Sequence, residues 1–226
     1  MCDDAEPADH REGNGGMGRA SQAKEKLLDS AIELVYRRSY ASVGVQELCE
    51  YAGVKKGSFY HFFPSKRDLT LAVLDRLLDR VRTTIFDKAL MPSRSPIKAL
   101  ERWIALIYAD TCAVKQRIGH VLGCPIGNLG IELSAQDEAI RRKVEAIFDE
   151  LSGRLERVIQ EGIAVGAIPN QPARKTARAL LAYIEGLHLL AKTTNDPEVI
   201  RRLGYEYVRR LTCAATRSAG PDTRKS

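Results

Sequence analysis

The sequence predicts an all-α protein: a small N-terminal three-helix unit followed by a larger C-terminal helical bundle. Three observations carry that prediction. Apolar residues recur at spacings of three and four along nearly the whole chain, and no run alternates with the period of two that a half-buried strand needs. Val45 to Lys66 reads as two short helices joined at a glycine. Met91-Pro92-Ser93-Arg94-Ser95-Pro96 then breaks the helical pattern and divides the chain.

Taken in order, residues 1–20 hold almost nothing to bury and read as a disordered arm without the apolar core of a secretory signal. Ser21 suits a helix N-cap, and Leu27, Leu28, Ala31, Ile32, Leu34 and Val35 carry that helix to about Arg38. Val45, Leu48, Cys49 and Ala52 form one apolar stripe on a two-turn helix that Gly53 ends. Val54 plugs the turn, and Phe59, Phe62 and Phe63 supply the inner face of the next helix, which Pro64 stops. From Ser65 a long helix runs to about Leu90, roughly 25 residues at ~1.5 Å each. Further helices follow over about 97–111, from a cap at Ser134 to Gly166, and over 173–194 and 197–216, with a short or irregular one inside 119–133. The predicted organisation is an arm (1–20), a head (21–66), a connecting helix (65–90), a body (96–216) and a frayed tail (217–226).

Two short helices on a glycine turn, braced by a longer one, make a helix-turn-helix, whose second helix reads the DNA major groove. Charge agrees with that partner. The chain has 226 residues and a net charge of +6, 44% hydrophobic and 28% charged, with a pI near 9.1. From Val54 to Arg67 it carries Lys55, Lys56, Lys66 and Arg67 with no acid between them. The polar positions of the second short helix and its surroundings mix phosphate donors with an aromatic and an imidazole able to reach base edges.

The residues Ala52-Gly53-Val54, Gly57-Ser58-Phe59-Tyr60-His61-Phe62-Phe63, Ser65-Lys66 and Leu69 carry a resemblance. The segment from about Ala23 to Val81 resembles the N-terminal domain of the TetR family of bacterial transcriptional regulators. The resemblance implies that Tyr60 and Lys66 contact phosphate and that His61 touches bases or backbone. Many members open the second helix with a Thr or Ser pair, where this chain has Val43-Gly44, leaving Ser42 as the nearest hydroxyl. The DNA-binding set expected is Ser42, Lys55, Lys56, Gly57, Ser58, Tyr60, His61 and Lys66.

In the body, Gly123-Cys124-Pro125-Ile126-Gly127-Asn128-Leu129 resembles a G-C-x-x-G-N-L pattern of some TetR-like effector domains, a subset of which respond to electrophiles or small organic acids. A thiol beside a helix start has its thiolate favoured by exposed N–H groups, so Cys124 is a candidate reactive residue, or a small buried hydrophobe at a tight turn. Trp103, Tyr108, Cys112, Phe148, Tyr183 and His188 lie on three helices able to line a common cavity. With Cys124 and Asn128 they form the expected effector-binding set. Small residues Ala179, Ala182 and Gly186 suit a helix–helix contact between two chains.

Catalytic and metal sites are not expected. His120 and His188 show no H-E-x-x-H-type spacing, and five cysteines without a C-x-x-C pair point to free thiols rather than a disulfide framework. No run approaches a membrane span, so the cytoplasm is the expected compartment. No cofactor is implied. The reading is a homodimeric repressor bound to a palindromic operator of double-stranded DNA. A small-molecule effector releases it by tilting the long helix. An activator, a redox- or electrophile-responsive regulator signalling through Cys124, and a helical enzyme with a fortuitous helix-turn-helix remain alternatives.

Overall fold

The computed structural model describes residues 15–91 and 95–213; of residues 15–20 and 213 the backbone alone is described. Most of the expected arm, residues 92–94 of the break, and the expected tail therefore lie outside the described residues. The described chain is helical without strands, and it divides into two compact units at Val73/Leu74. That division falls inside the long helix, because Leu69 and Val73 are still buried, rather than at residue 66.

The first unit holds α1 (Gly15–Arg37), α2 (Val45–Ala52), α3 (Lys56–Phe62) and the start of α4 (Lys66–Val81). Helix α1 begins six residues before the expected cap at Ser21. Once nucleated, a helix gains one hydrogen bond per added residue, so even a glycine-rich run can extend it. Leu27, Leu28, Ala31 and Leu34 of α1 share a core with Val43, Leu48, Cys49, Phe59 and Phe63, all buried. Phe62, expected inward, is only half-buried. Arg38 pairs with Glu47 across the α1–α2 connection and also donates to the Ser42 carbonyl at 3.2 Å.

The helix from Lys66 does reach residue 89, with one departure from regular form. After Val81 it passes through a π-helical segment, Arg82–Phe86, before a last α turn, Asp87–Ala89. The Asp87 N–H bonds the Arg82 carbonyl, five residues back. Thr83 and Thr84 hydroxyls donate to the Asp79 and Arg80 carbonyls at 2.9 and 2.7 Å, competing for acceptors the ladder would otherwise use. The wider turn lets Ile85, Phe86 and Ala89 bury while Arg82 forks onto Glu150, with Nε to Oε1 at 2.6 Å.

The second unit continues with α5 (Pro96–Ile118), α6 (Pro125–Leu133), α7 (Glu138–Ala164), α8 (Ala173–Thr194) and α9 (Glu198–Cys213). Ser95 caps α5, accepting the Lys98 N–H at 3.3 Å, with Pro96 in the first turn. The cap of α7 is Asp137, not Ser134: its carboxylate accepts the Ala139 and Ile140 N–H groups, and Ser134 instead closes α6. A carboxylate outcompetes a hydroxyl there because its charge complements the helix N-terminus. The stripe Ile140, Val144, Ile147, Leu151, Leu155, Val158 and Gly162 is buried as its spacing predicts. In α9 Ile200 and Leu211 are buried, whereas Leu203, at the same helical spacing, is 39% exposed. None of the described helices is long and apolar enough to cross a membrane.

Candidate functional site

In the first unit the turn between α2 and α3 depends on Gly53, which closes α2 at φ 63, while Val54 donates its N–H to the Cys49 carbonyl at 2.9 Å. A Cβ at Gly53 would meet nothing, but its backbone conformation is one that side-chain-bearing residues adopt at a cost. Gly57 differs. It lies inside α3 without a positive φ and with nothing within 4 Å of a Cβ. Gly53→Ala is therefore expected to destabilise the unit by about 1 kcal/mol, and Gly57→Ala to stabilise it by about 0.5–1 kcal/mol. Urea unfolding followed by circular dichroism checks both, and a Gly57→Ala loss would mean the fold itself requires that glycine.

Helix α3 buries Phe59 completely and turns its polar residues outward. Lys55, Lys56, Gly57 and His61 are exposed, Ser58 is half-buried, and Tyr60 keeps 50% of its surface. Tyr60 stands edge-on against Phe59 at 5.1 Å, and His61 against Phe62 at 4.9 Å, so both rings are seated at the base. Lys66 is engaged elsewhere: its ammonium lies 3.8 Å over the Tyr40 ring and donates to the Tyr40 carbonyl. The exposed Ser42 hydroxyl donates to the Ser39 carbonyl at 3.0 Å. Val43, at the departure from the family pattern, is a fully buried core residue, and Gly44 caps α2 without a side chain. Cys49 is buried in the same core, which pushes its thiol up.

In the second unit the expected aromatic effector residues each make their own contacts. Trp103 is fully buried, tilted against Phe86 at 5.7 Å, and its indole N–H has no hydrogen-bond partner among the described residues. Tyr108 donates to Glu198, whose carboxylate holds the phenol proton above its usual range, with Cys112 adding to the effect. Tyr183 stacks on Tyr207 at 4.5 Å beside a groove of about 560 Å³ that Leu203, Glu206 and Arg210 also line. Phe148 is half-buried on α7. Aromatics at helical spacing therefore serve three separate packing contacts here, as core side chains commonly do.

Cys124, Asn128 and His188 do converge, and a fourth residue joins them. Cys124 caps α6, its sulfur accepting the Gly127 N–H at 3.3 Å. Asn128 donates to the Leu122 carbonyl at 2.8 Å and accepts from Lys192 at 3.4 Å. Asn195, in the left-handed region after α8, fixes the loop before α6 by accepting the Val121 N–H at 2.9 Å. On α8, Glu185 and His188 lie one turn apart, with His188 Nδ1 3.9 Å from a Glu185 oxygen. Donor atoms of Cys124, Glu185 and His188 all fall within 4.8 Å of one another. A Cβ on Gly127 would sit 2.3 Å from a Glu185 oxygen, so the glycine makes room for that carboxylate.

Burial governs the protons of this cluster. It raises Glu185 to about 7, with the Cys124 thiol's hydrogen bond pulling the other way. It depresses His188 to about 4 and pushes Cys124 well up, helped by the neighbouring Glu185 charge and only partly offset by the Gly127 N–H. The expectation of a thiolate favoured by the helix start is thus reversed: one partial positive charge does not outweigh desolvation next to a carboxylate. Glu185 was not among the sequence candidates. Its E-x-x-H spacing to His188 is visible in the sequence, but the cysteine that gives the pair meaning comes from another helix.

Residues 27–73 match the bacterial regulatory proteins of the tetR family, and residues 99–204 match the Tetracyclin repressor-like C-terminal domain. The chain is 32% identical over 177 residues to an uncharacterized HTH-type transcriptional regulator of Lactococcus lactis, covering 78% of this chain and 87% of the relative. It is 28% identical over 176 residues to the HTH-type transcriptional repressor DhaR of a Mycobacterium species, covering 77% and 85%. A crystal structure of regulatory protein TetR from Rhodobacter sphaeroides superposes with a TM-score of 0.74 at 28% identity, covering 84% of this chain and 98% of the other.

Proposed function

Because this chain belongs to the TetR family and is a DNA-binding regulator of transcription, we propose that it is a homodimeric repressor whose two α3 helices enter successive major grooves of a palindromic operator. The observation that carries this reading is the division of α3: Phe59 alone is buried, while Lys55, Lys56, Tyr60 and His61 face outward on a firm aromatic base. Lys55 and Lys56, with Ser42 and Ser58, set register on phosphate, and Tyr60 and His61 read base edges. Gly57, which the fold does not require, allows close approach of the backbone to DNA. Lys66 acts through the Tyr40 loop it holds as well as through its charge.

Dimerisation supplies the half-site spacing of about 34–36 Å that such an operator needs. The face for it is the α8 stripe of Ala179, Ala182, Gly186, Leu189 and Leu190, all exposed, with Leu203 of α9 nearby in sequence order and also exposed. A relative whose name reads repressor supports that direction of control, and the cytoplasm is the compartment in which such a protein meets its operator. The effector acts in the second unit, where a buried indole N–H without a partner among the described residues and the Cys124 cluster offer polar groups to a ligand. It releases DNA only by preferring one state of the dimer, each tenfold preference being worth about 1.4 kcal/mol.

Selection of operator fragments from genomic DNA, followed by binding at several salt concentrations, tests the assignment. Tyr60→Ala and His61→Ala should each lose about 1–3 kcal/mol on the selected palindrome and much less on other DNA. Lys55→Ala with Lys56→Ala should weaken all sequences alike and reduce the salt slope by about 2. Unchanged operator preference in both aromatic variants would remove α3 as the reading helix.

A further inference from the structure

We propose that Cys124, Glu185 and His188 form a binding site for a borderline divalent transition ion such as Zn²⁺ or Co²⁺, with a fourth coordination position left for an exchangeable ligand. Thiolate, carboxylate and imidazole together are a donor set for such ions, whereas magnesium and calcium take oxygen ligands. The geometry is close to what tetrahedral coordination needs. Bonds of about 2.0–2.3 Å place ligand atoms about 3.3–3.8 Å apart. His188 Nδ1 and the Glu185 oxygen are already 3.9 Å apart, and all three donors fall within 4.8 Å.

Three further features favour a cation here. The His188 Nδ1 is buried without a hydrogen-bond partner among the described residues, an unfavourable state that a metal would relieve. Burial holds a proton on Glu185, and burial together with the neighbouring Glu185 charge holds one on Cys124, while the two groups stay within reach of a single ion. An ion placed between them displaces one proton from the thiol and one from the carboxyl, and its two charges are balanced by the two anions it creates. The resulting complex is neutral, which suits a site this dry. The side chains of His188 and Glu185 retain 15% and 27% of their surface, so an ion can enter from solvent.

The scaffold around the cluster is built to hold it. Gly127 leaves the space that the Glu185 carboxylate fills, and the Gly127 N–H already orients the sulfur. Lys192, the cation one turn along α8, is directed to Asn128. Asp110, paired with Arg80 at 2.7 Å, adds a negative charge facing His188 from α5.

This inference goes beyond the DNA-binding reading, and its test needs no operator. The full chain, reduced and stripped with chelator, is titrated with Co²⁺. The wild type should show thiolate-to-cobalt charge transfer in the near ultraviolet and intense visible bands of a tetrahedral ion, saturating at one equivalent and bleached by Zn²⁺. Cys124→Ser should lose the charge-transfer band, and Glu185→Gln and His188→Gln should weaken Co²⁺ by about tenfold or more. Trp103 fluorescence verifies that each variant is folded, and the two glutamine variants decide the matter if Cys124→Ser is not. Absence of charge transfer at excess Co²⁺, its survival in Cys124→Ser, or unchanged affinity in both glutamine variants would overturn the site.

Discussion

Phe59→Ala is expected to destabilise the N-terminal unit by about 3–5 kcal/mol, the cost of emptying a buried aromatic position. Phe59 is wholly buried, contacts Phe63 at 6.0 Å between ring centroids, and supports Tyr60 edge-on. A unit of this size has a stability of only about 5 kcal/mol to spare, so the loss removes most of it. Operator binding should vanish, and amide hydrogens of α2 and α3 should exchange rapidly. The C-terminal unit reports separately, because the chain's single tryptophan, Trp103, lies in its core. Native Trp103 fluorescence alongside an unprotected head is the expected outcome. Native exchange protection of α3 in the variant would show that Phe59 is not what holds that helix in place.

Stability of the C-terminal unit should change little between about pH 5 and 6.5, and single substitutions should reveal that two opposing slopes cancel there. Glu185 is raised from 4.5 to about 7 in the fold. Between those values the folded state binds the extra proton, so this group's contribution falls as pH rises. His188 is lowered from 6.5 to about 4. In that interval the unfolded state binds the extra proton, so its contribution grows with pH. Each slope approaches 1.4 kcal/mol per pH unit. Glu185→Gln should therefore expose a gain of about 2 kcal/mol from pH 5 to 6.5, and His188→Gln a loss of similar size. Glu138, held by Arg141 and Arg142 at about 2, titrates below this window, as do the depressed Glu150, Glu198 and Glu206. Urea unfolding with chelator present, followed by Trp103 fluorescence, measures the profiles. Parallel curves for both variants and wild type would refute the opposition.

Helix α3 and the Cys124 cluster differ in how far the sequence discloses them. The bounds of α2, α3 and α8 follow from neighbours in the chain: a three-and-four apolar spacing, a glycine at the left-handed turn, a proline where a helix must stop. The outward residues of α3 are legible for the same reason, since a helix assigns faces by period. Lys66 shows where this runs out. Its charge is plain in the sequence, but the Tyr40 ring and carbonyl that engage it come from the far side of α2.

By itself the sequence determined an all-α chain, a three-helix N-terminal head with its helix-turn-helix, and the family to which these belong. Such features are set by local backbone preference and by the periodic burial of one face, both written residue by residue. Only the tertiary structure decided that Trp103, Tyr108 and Tyr183 take different partners, that Glu185 and His188 meet Cys124, and that the thiol there is raised rather than lowered. Those outcomes rest on which helix faces which and on how much water is excluded between them. Desolvation is a property of the assembled surroundings, and no spacing along one helix encodes it.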